Sequence, residues 1–511
     1  GAGAITLTDA DNEFTGAVSL NNSGANAVSI RDKTALDLGL SSVGSSPLSV
    51  NAIGITQSGA IVQSAGGLAT FNGGTEAIEL TDVDNEFTSV TASSSSGGIS
   101  ISEKDGFAVH TINAGSANAL NLQSGGDIST FGGAGLITAG AFSAKTLNDA
   151  GASITLTNAN NDVTSVDLQS RNAADSANST GNINYVDNTG FEVAGLAAGG
   201  TVVLTASAPV TQTGAAQVER LALTGSGSFV LDDALNEIAH LASDATGDVY
   251  VVSSTATTMA LVNPMGVTTG NADFALKASS IHIAEDIDAG TGNVYLETSD
   301  AATGTITQDA GKGITSAGLA IKSVGDVTLE DNTNNVSKLA VDLATDQALS
   351  YRDIDGLSIA NLADVTVAGN SVSGLQALGA ASTVSLNLGG LLTQEATDAL
   401  IQLEGDLTID TTRNTNAADV SLKNTAVGGT ELDSSIIAGD FVLSSNGNVT
   451  QTEVAGANND AFLQVGDELT ITGGSLIAGD SAENLLGGGL VTGVRLDNEI
   501  RLEGIITLSM D

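Results

Sequence analysis

The chain is 511 residues long, 41% hydrophobic but only 3% aromatic, with 62 glycines, three prolines and neither cysteine nor tryptophan. Its 59 acidic and 15 basic residues leave a formal net charge of −44, a field that repels nucleic acid and anionic headgroups and attracts cations. Such a composition excludes disorder, a disulfide scaffold and thiol-ligated metal, and it leaves Val, Ile, Leu and Ala to build the interior.

The first element recurs along the chain. Residues 5–14 (ITLTDADNEF) return at 78–87 (IELTDVDNEF) and 154–163 (ITLTNANNDV), and more loosely at 229–238 (FVLDDALNEI) and 327–336 (VTLEDNTNNV). In every copy a Leu is followed five residues later by Asn and seven later by Phe, Val or Ile. The leucines are Leu7, Leu80, Leu156, Leu231 and Leu329, so the steps are 73, 76, 75 and 98 residues. Repetition at a fixed long period signals a stacked, quasi-one-dimensional fold.

Between these copies the pattern is a short apolar-polar-apolar triplet of period two, each a strand with one buried face. Early triplets are Ile5/Leu7, Val18/Leu20, Val28/Ile30, Leu36/Leu38, Leu48/Val50 and Ile53/Ile55. The series runs on through Ile99/Ile101, Val166/Leu168, Val249/Val251, Leu319/Ile321 and Val365/Val367 to Val494/Leu496. Gly, Asn, Asp and Ser, all turn formers, separate them. Helical spacing is never sustained; residues 235–241 and 396–403 come closest and are too short. Two further segments recur in order. One is Ile/Tyr-x5-Leu/Phe, at Ile30, Ile101, Tyr185 and Tyr351; the other is Thr-Gln after an aliphatic residue, at Ile55, Val210, Ile306, Leu392 and Val449.

These features predict an all-β parallel β-helix (β-solenoid), an elongated rod running as one continuous repeat region over residues 1–511. Long repeats begin near residues 5, 78, 154, 229 and 327, and 345–511 is less regular. The 98-residue step exceeds its neighbours by about one inserted coil. Three coils per repeat give 24 to 25 residues each and four give about 19, hence roughly 20 to 27 coils. Burying each inward Val, Leu or Ile contributes roughly 1.5–3 kcal/mol, so stability is spread along the stack. Asn12, Asn85, Asn161, Asn236 and Asn334 are read as corner residues that tolerate a left-handed φ and bond their own backbone. Phe14, Phe87, Val163, Ile238 and Val336 then re-enter the core. Polar runs at residues 93–98, 171–181, 411–419 and 453–460 are read as loops extruded at corners.

Chemistry is sparse. Asp9, Asp11 and Glu13, with Asp82, Asp84 and Glu86, put several carboxylates on one turn, as Ca2+ prefers, but the glycine and terminal glutamate of an EF-hand are missing. Ca2+ is therefore the single cofactor candidate, with turn-making the competing role of these residues. His110, His240 and His282 are isolated from one another, and His110 and His282 sit on the outward phase of their triplets. Adjacent acids at Asp232-Asp233 and Glu330-Asp331 point to opposite faces of a strand, unlike the facing pair a glycosidase needs. No phosphate loop or Ser/His/Asp set is legible, so no catalytic residue is expected and the chain reads as non-enzymatic. No apolar run approaches the ~18 residues of a membrane span, and no stretch of these residues reads as a signal peptide. The first residues lead straight into a repeat, so the chain reads as a segment of a longer one.

The N-terminal run NEFTGAVSLNNSGANAVSIRDKTALDLGLSSVG, ending in AIGITQSGAI at residues 52–61, resembles the repeats of filamentous-haemagglutinin-like exoproteins, large bacterial adhesins of the two-partner secretion type. The similarity is strongest over residues 1–92, fair to about 170 and diffuse beyond. The resemblance implies a right-handed β-helix, secretion to the bacterial cell surface, and cell–cell or cell–matrix attachment, often in biofilm. It supplies no site residues. Two functions are then expected: an adhesin stalk that takes an extracellular polysaccharide or cell-surface receptor as partner, or a self-associating subunit of an extracellular filament or sheath.

Overall fold

The alternating triplets dictate what the fold does with them. Their inward residues, among them Val28, Ile30, Leu36, Ile55, Ile78, Leu80, Ile99 and Ile101, are buried, while the residue between is exposed or partly so. Apart from one antiparallel pair, the described strands pair in parallel with the strand one turn on, so the backbone ladder runs between turns. The computed structural model describes residues 1–64, 66–133, 135–260, 265–302, 304–365, 370–395 and 399–413. Beyond these it describes 420–424, 436–437, 439, 441–444, 448–453, 464–465, 469–472, 475–478, 501–502 and 506–509. Among them the only helical element is the 3-10 turn Phe131–Gly133, and the strands stack as a β-solenoid of about 18 turns. The chain divides into two compact units, Gly1–Ala239 and His240–Asp511.

In the first unit a turn is three short strands, such as Leu48–Asn51, Ile55–Gln57 and Ile61–Gln63. The next turn lays Ala69 on Leu48, Ile78 on Ile55 and Glu86 on Val62. Register fixes the relation between turn and repeat. Ile5 is followed up its column by Val28, Leu48 and Ala69, and the second copy of the motif opens on the next strand, at Ile78. Ile78 is followed by Ile99, Leu120 and Phe142 before the third copy opens at Ile154. Ile154 is followed by Ile183, Val202 and Leu221 before the fourth opens at Phe229. A long repeat is therefore three turns plus one strand, and successive copies move to the next side of the solenoid. Turns are neither 19 nor 24 to 25 residues throughout. They vary, from 19 between Ile183 and Val202 to 29 between Ile154 and Ile183.

In the second unit Val249, Phe274, Val294 and Leu319 stack before the fifth copy opens at Val327. That is four strands where the earlier repeats have three, so the 98-residue step does contain one added turn. Later turns lengthen: Leu349 to Val384 spans 35 residues, Leu407 to Phe441 34, and Leu469 to Ile506 37. These long turns explain why the count falls below the 20 to 27 expected from a constant coil.

Some local readings change. Ile53 is 47% exposed, because Gly54 turns the chain at φ 90° and the inward triplet is Ile55-Thr-Gln57. Val365 lies in an antiparallel pair, Asn361–Val365 with Asn370–Ser373, outside the parallel ladder, and Val367 and the pair Val494/Leu496 fall outside the described residues. Residues 235–241, too short for a helix, are strand from Glu237 on, as the rejection of a helix there implies. The few aromatics join the aliphatic interior: Phe71, Phe142, Phe229, Phe274, Tyr185 and Tyr351 are fully buried, and Phe71 meets Phe87 edge-on at 5.6 Å. Of the polar runs, 171–181 forms a loop in which Asp175 takes Lys145 at 2.9 Å and Arg171 at 3.1 Å. Residues 414–419 and 454–460 lie outside the described residues.

Because Ile99 is fully buried between Ile78 and Leu120, Ile99→Val should cost about 1 kcal/mol, read as a lower urea midpoint at an unchanged slope.

Candidate functional site

The recurring corner is where the sequence concentrates its polar residues, and its hydrogen bonds repeat copy by copy. Two residues after the Leu, an Asp or Asn side chain accepts the N–H of the residue two further on. Asp9 takes Asp11 at 2.9 Å, Asp82 takes Asp84 at 3.0 Å, Asn158 takes Asn160 at 2.9 Å, Asp233 takes Leu235 at 2.8 Å and Asp331 takes Thr333 at 2.8 Å. The Asn five residues after the Leu donates its amide back to that Leu carbonyl. The distances are 3.1 Å for Asn12, 3.3 Å for Asn85, 3.3 Å for Asn161, 3.2 Å for Asn236 and 3.3 Å for Asn334. The Leu-x4-Asn spacing is thus a bond closed across a turn. None of these five asparagines has a positive φ; among the described non-glycine residues only Asp175, Asn271 and Asp346 do. Asn is present for its amide and not for the left-handed backbone expected of it.

The turn below supplies a floor, and it is the Thr-Gln segment. Gln212 Nε2 donates to Asn236 Oδ1 at 2.6 Å, Asn236 Nδ2 returns a bond to Gln212 Oε1 at 3.0 Å, and Gln212 Oε1 accepts the Asp233 N–H at 3.0 Å. Gln308 does the same for Asn334 and Asp331, at 2.7, 3.1 and 3.1 Å. Gln57 bonds Asn85 both ways and accepts the Asp82 N–H at 3.3 Å. The Asn oxygen also caps a strand below, accepting from Ile61, Ile137, Ala216 and Ile314 in the four upper copies. In the third copy a hydroxyl stands in for the glutamine: Thr130 Oγ1 accepts the Thr157 N–H at 3.2 Å. Gln394 donates to the Ala399 carbonyl at 2.7 Å, and the side chain of Gln451 lies outside the described residues.

The turn above supplies a roof that the sequence reading missed. Phe14 donates its N–H to Asp32 at 2.7 Å, Phe87 to Glu103 at 3.4 Å, Val163 to Asp187 at 3.2 Å and Val336 to Asp353 at 3.1 Å. All four carboxylates are buried. A signal for them exists: the third residue of Ile30-Arg-Asp32, Ile101-Ser-Glu103, Tyr185-Val-Asp187 and Tyr351-Arg-Asp353 is always acidic. Tyr185 and Tyr351 bond the acid two residues on, at 3.1 and 2.6 Å. Burial opposes ionisation of Asp32, yet the N–H groups of Phe14 and Thr34 outweigh it and hold its pKa below the usual range. At Glu103 and Asp187 burial prevails and the pKa rises. At Asp353 burial pushes it up to about 6, against the bonds from Tyr351, Asp355 and Val336.

Four of the six calcium candidates, Asp9, Glu13, Asp82 and Glu86, have partners of their own. Besides the turn bonds of Asp9 and Asp82, Glu13 pairs with Lys33 at 2.9 Å and Glu86 with Lys104 at 2.7 Å. Among the described residues no three His, Asp or Glu side chains come together where they could hold a metal ion. His110 is exposed and stacks on Phe131 at 5.0 Å; His282 shares a hydrogen with Thr307 at 2.9 Å and lies 3.4 Å from Asp309. Exposed ion pairs contribute little, so Lys104→Ala should leave the thermal midpoint unchanged.

Residues 1–21, 25–94, 97–169 and 180–245 match a family described as Repeats of unknown function (DUF5649). No curated protein and no solved structure matches the chain. The matched stretches follow the 75-residue period and take in the first four copies of the corner, the fifth lying beyond them. Chemically, the corner is a splice. In the second and fifth copies one amide, one glutamine and one carboxylate tie three successive turns together, and their polar atoms are directed at backbone and at each other.

Proposed function

We propose that this chain is the repeat region of a secreted, filamentous-haemagglutinin-like adhesin, a non-enzymatic stalk at the bacterial cell surface that mediates cell–cell or cell–matrix attachment. The observation that carries the reading is the use made of the recurring polar residues. Asn85, Asn236 and Asn334, their glutamines and the buried acids are spent on joining turns, so repetition serves length and stiffness rather than a repeated catalytic site. The acidic balance keeps a long exposed body soluble. The partner is an extracellular polysaccharide or a cell-surface receptor, and the chain takes no nucleic acid. No helix among the described residues is long and apolar enough to cross a membrane.

Electron micrographs of the purified protein test the stalk reading. Dispersed single particles, together with loss of attachment when the region is deleted in cells, are the expected result. Ordered polymers would favour the filament subunit in its place.

A further inference from the structure

Outward positions on a solenoid sheet face water and are normally polar, as in the column Thr6, Ser29, Ser49, Thr70 and Thr91 of the first unit. One column of the second unit breaks that rule. Tyr250, Ala275, Tyr295, Ala320 and Ala340 follow one another in register on strands whose alternate residues face the interior. Beside it runs a column of alternating charge, Lys277, Glu297, Lys322 and Asp342, in which Lys277 meets Glu297 at 2.9 Å.

The cover for the apolar column comes from the chain itself. After Ile359 the chain leaves the parallel ladder, forms the antiparallel pair Asn361–Val365 with Asn370–Ser373, and rejoins at Leu375, on top of Val341. Leu362 and Val372, opposite each other in that pair, pack with Ala275, Tyr295, Ala320 and Ala340, and Tyr250 packs against the edge of the cluster. Tyr295 is 2% exposed there and reaches out only with its hydroxyl, bonded to Glu297 at 2.7 Å. The pair touches strands Asn293–Thr298, Ile314–Ser323 and Asn335–Leu343, which belong to three successive turns. Gly318 makes room for it, since a Cβ at that position would lie 2.7 Å from a Leu362 methyl. Lys338, on the last of these strands, is tied to Glu395 at 2.6 Å.

A solenoid turn ordinarily touches only the turns before and after it, so the stack opens one turn at a time. We propose that the hairpin of Asn361–Val365 and Asn370–Ser373 is a strap, lying across three completed turns so that they open together rather than singly. It adds contacts between turns that are not neighbours, the one kind of interaction a plain solenoid lacks. This stiffening device is independent of what the chain binds.

Amide hydrogen exchange of the full chain tests it, with Leu362→Asp as the main variant and Val372→Ser as a milder one that keeps the fold if the first does not. Ser371→Asp, on the exposed side of the hairpin, is the control. The expected result is that Leu362→Asp or Val372→Ser speeds exchange in residues 293–298, 314–323 and 335–343 together, by about tenfold or more, the scale set by loss of one buried aliphatic side chain. Ser371→Asp leaves all three unchanged. The strap is overturned if the hairpin amides exchange faster while those strands keep their protection, or if the hairpin stays protected with a charge at residue 362.

Discussion

Replacing Asn334 by alanine is expected to lower the unfolding free energy of the second unit by about 3–5 kcal/mol, a loss on the scale of a deleted core side chain. The side chain is fully buried and serves both neighbouring turns. Its oxygen accepts from Ile314 N–H at 2.9 Å and Gln308 Nε2 at 2.7 Å. Its nitrogen donates to the carbonyls of Leu329 at 3.3 Å and Arg352 at 3.1 Å. Alanine takes the Asn334 amide away from the Ile314 N–H and from the Leu329 and Arg352 carbonyls, while Gln308 keeps the Lys312 carbonyl and the Asp331 N–H; each buried group left unsatisfied costs about 1–3 kcal/mol. Asn334→Asp should be as damaging, because a carboxylate would then face two carbonyl oxygens. Asn12→Ala provides the contrast: that residue is only half-buried, and the side-chain bond described for it is the 3.1 Å bond to the Leu7 carbonyl. Urea titrations followed by amide exchange compare the two. Equal losses at Asn12 and Asn334 would mean that the splice between turns contributes nothing beyond the local turn.

The second large effect is on pH dependence and centres on Asp353. Its pKa is about 6 in the folded chain, against an ordinary value of 3.8, because burial disfavours the charge. Between those values the folded chain binds a proton that the unfolded chain releases, so stability falls as pH rises through that window. The contribution is fully present below pH 4, is lost above pH 6, and amounts to something on the order of 3 kcal/mol. Asp331 has the opposite sign. Burial opposes its charge, but the bonds from Thr333 and Gly311 prevail and lower its pKa, so its contribution is present at neutral pH and is lost on strong acidification. Stability of the second unit should therefore rise from pH 7 to about pH 4.5 and fall again on acidification below the ordinary carboxylate range. Relief of the general negative repulsion acts in the same direction over the first range, and Asp353→Asn separates the two. The variant keeps the repulsion and loses the Asp353 part, so its urea midpoint should change less between pH 7 and 4.5. Equal changes in both proteins would remove Asp353 from the account.

Much of the corner was legible from one chain, for a reason visible in its bonds. The Leu-x4-Asn spacing is local, since donor and acceptor lie on the same turn, and the pattern survives in all five copies. The Thr-Gln segment was equally visible as a recurrence, but its role was not. Gln212 and Asn236 are 24 residues apart, and Gln57 and Asn85 are 28 apart, so no local pattern joins them. The acids of the roof went unread because a single acidic residue inside a strand-like segment looks like the solvated face. Only the turn beneath, offering the N–H of Phe14, Phe87, Val163 or Val336, makes that position inward.

By itself the sequence determined that this chain is all-β, repeats at about 75 residues and stacks its strands in parallel, with one additional turn in the longest repeat. Those properties follow from side-chain alternation and from spacing along the chain, which need no partner to be read. Register was decided only in three dimensions. A repeat is three turns and one strand, the corner moves from side to side, and an apolar outward column is covered by its own hairpin. Turn length depends on how much chain each corner loops out, and that is settled by which strand pairs with which, not by any residue's own preference.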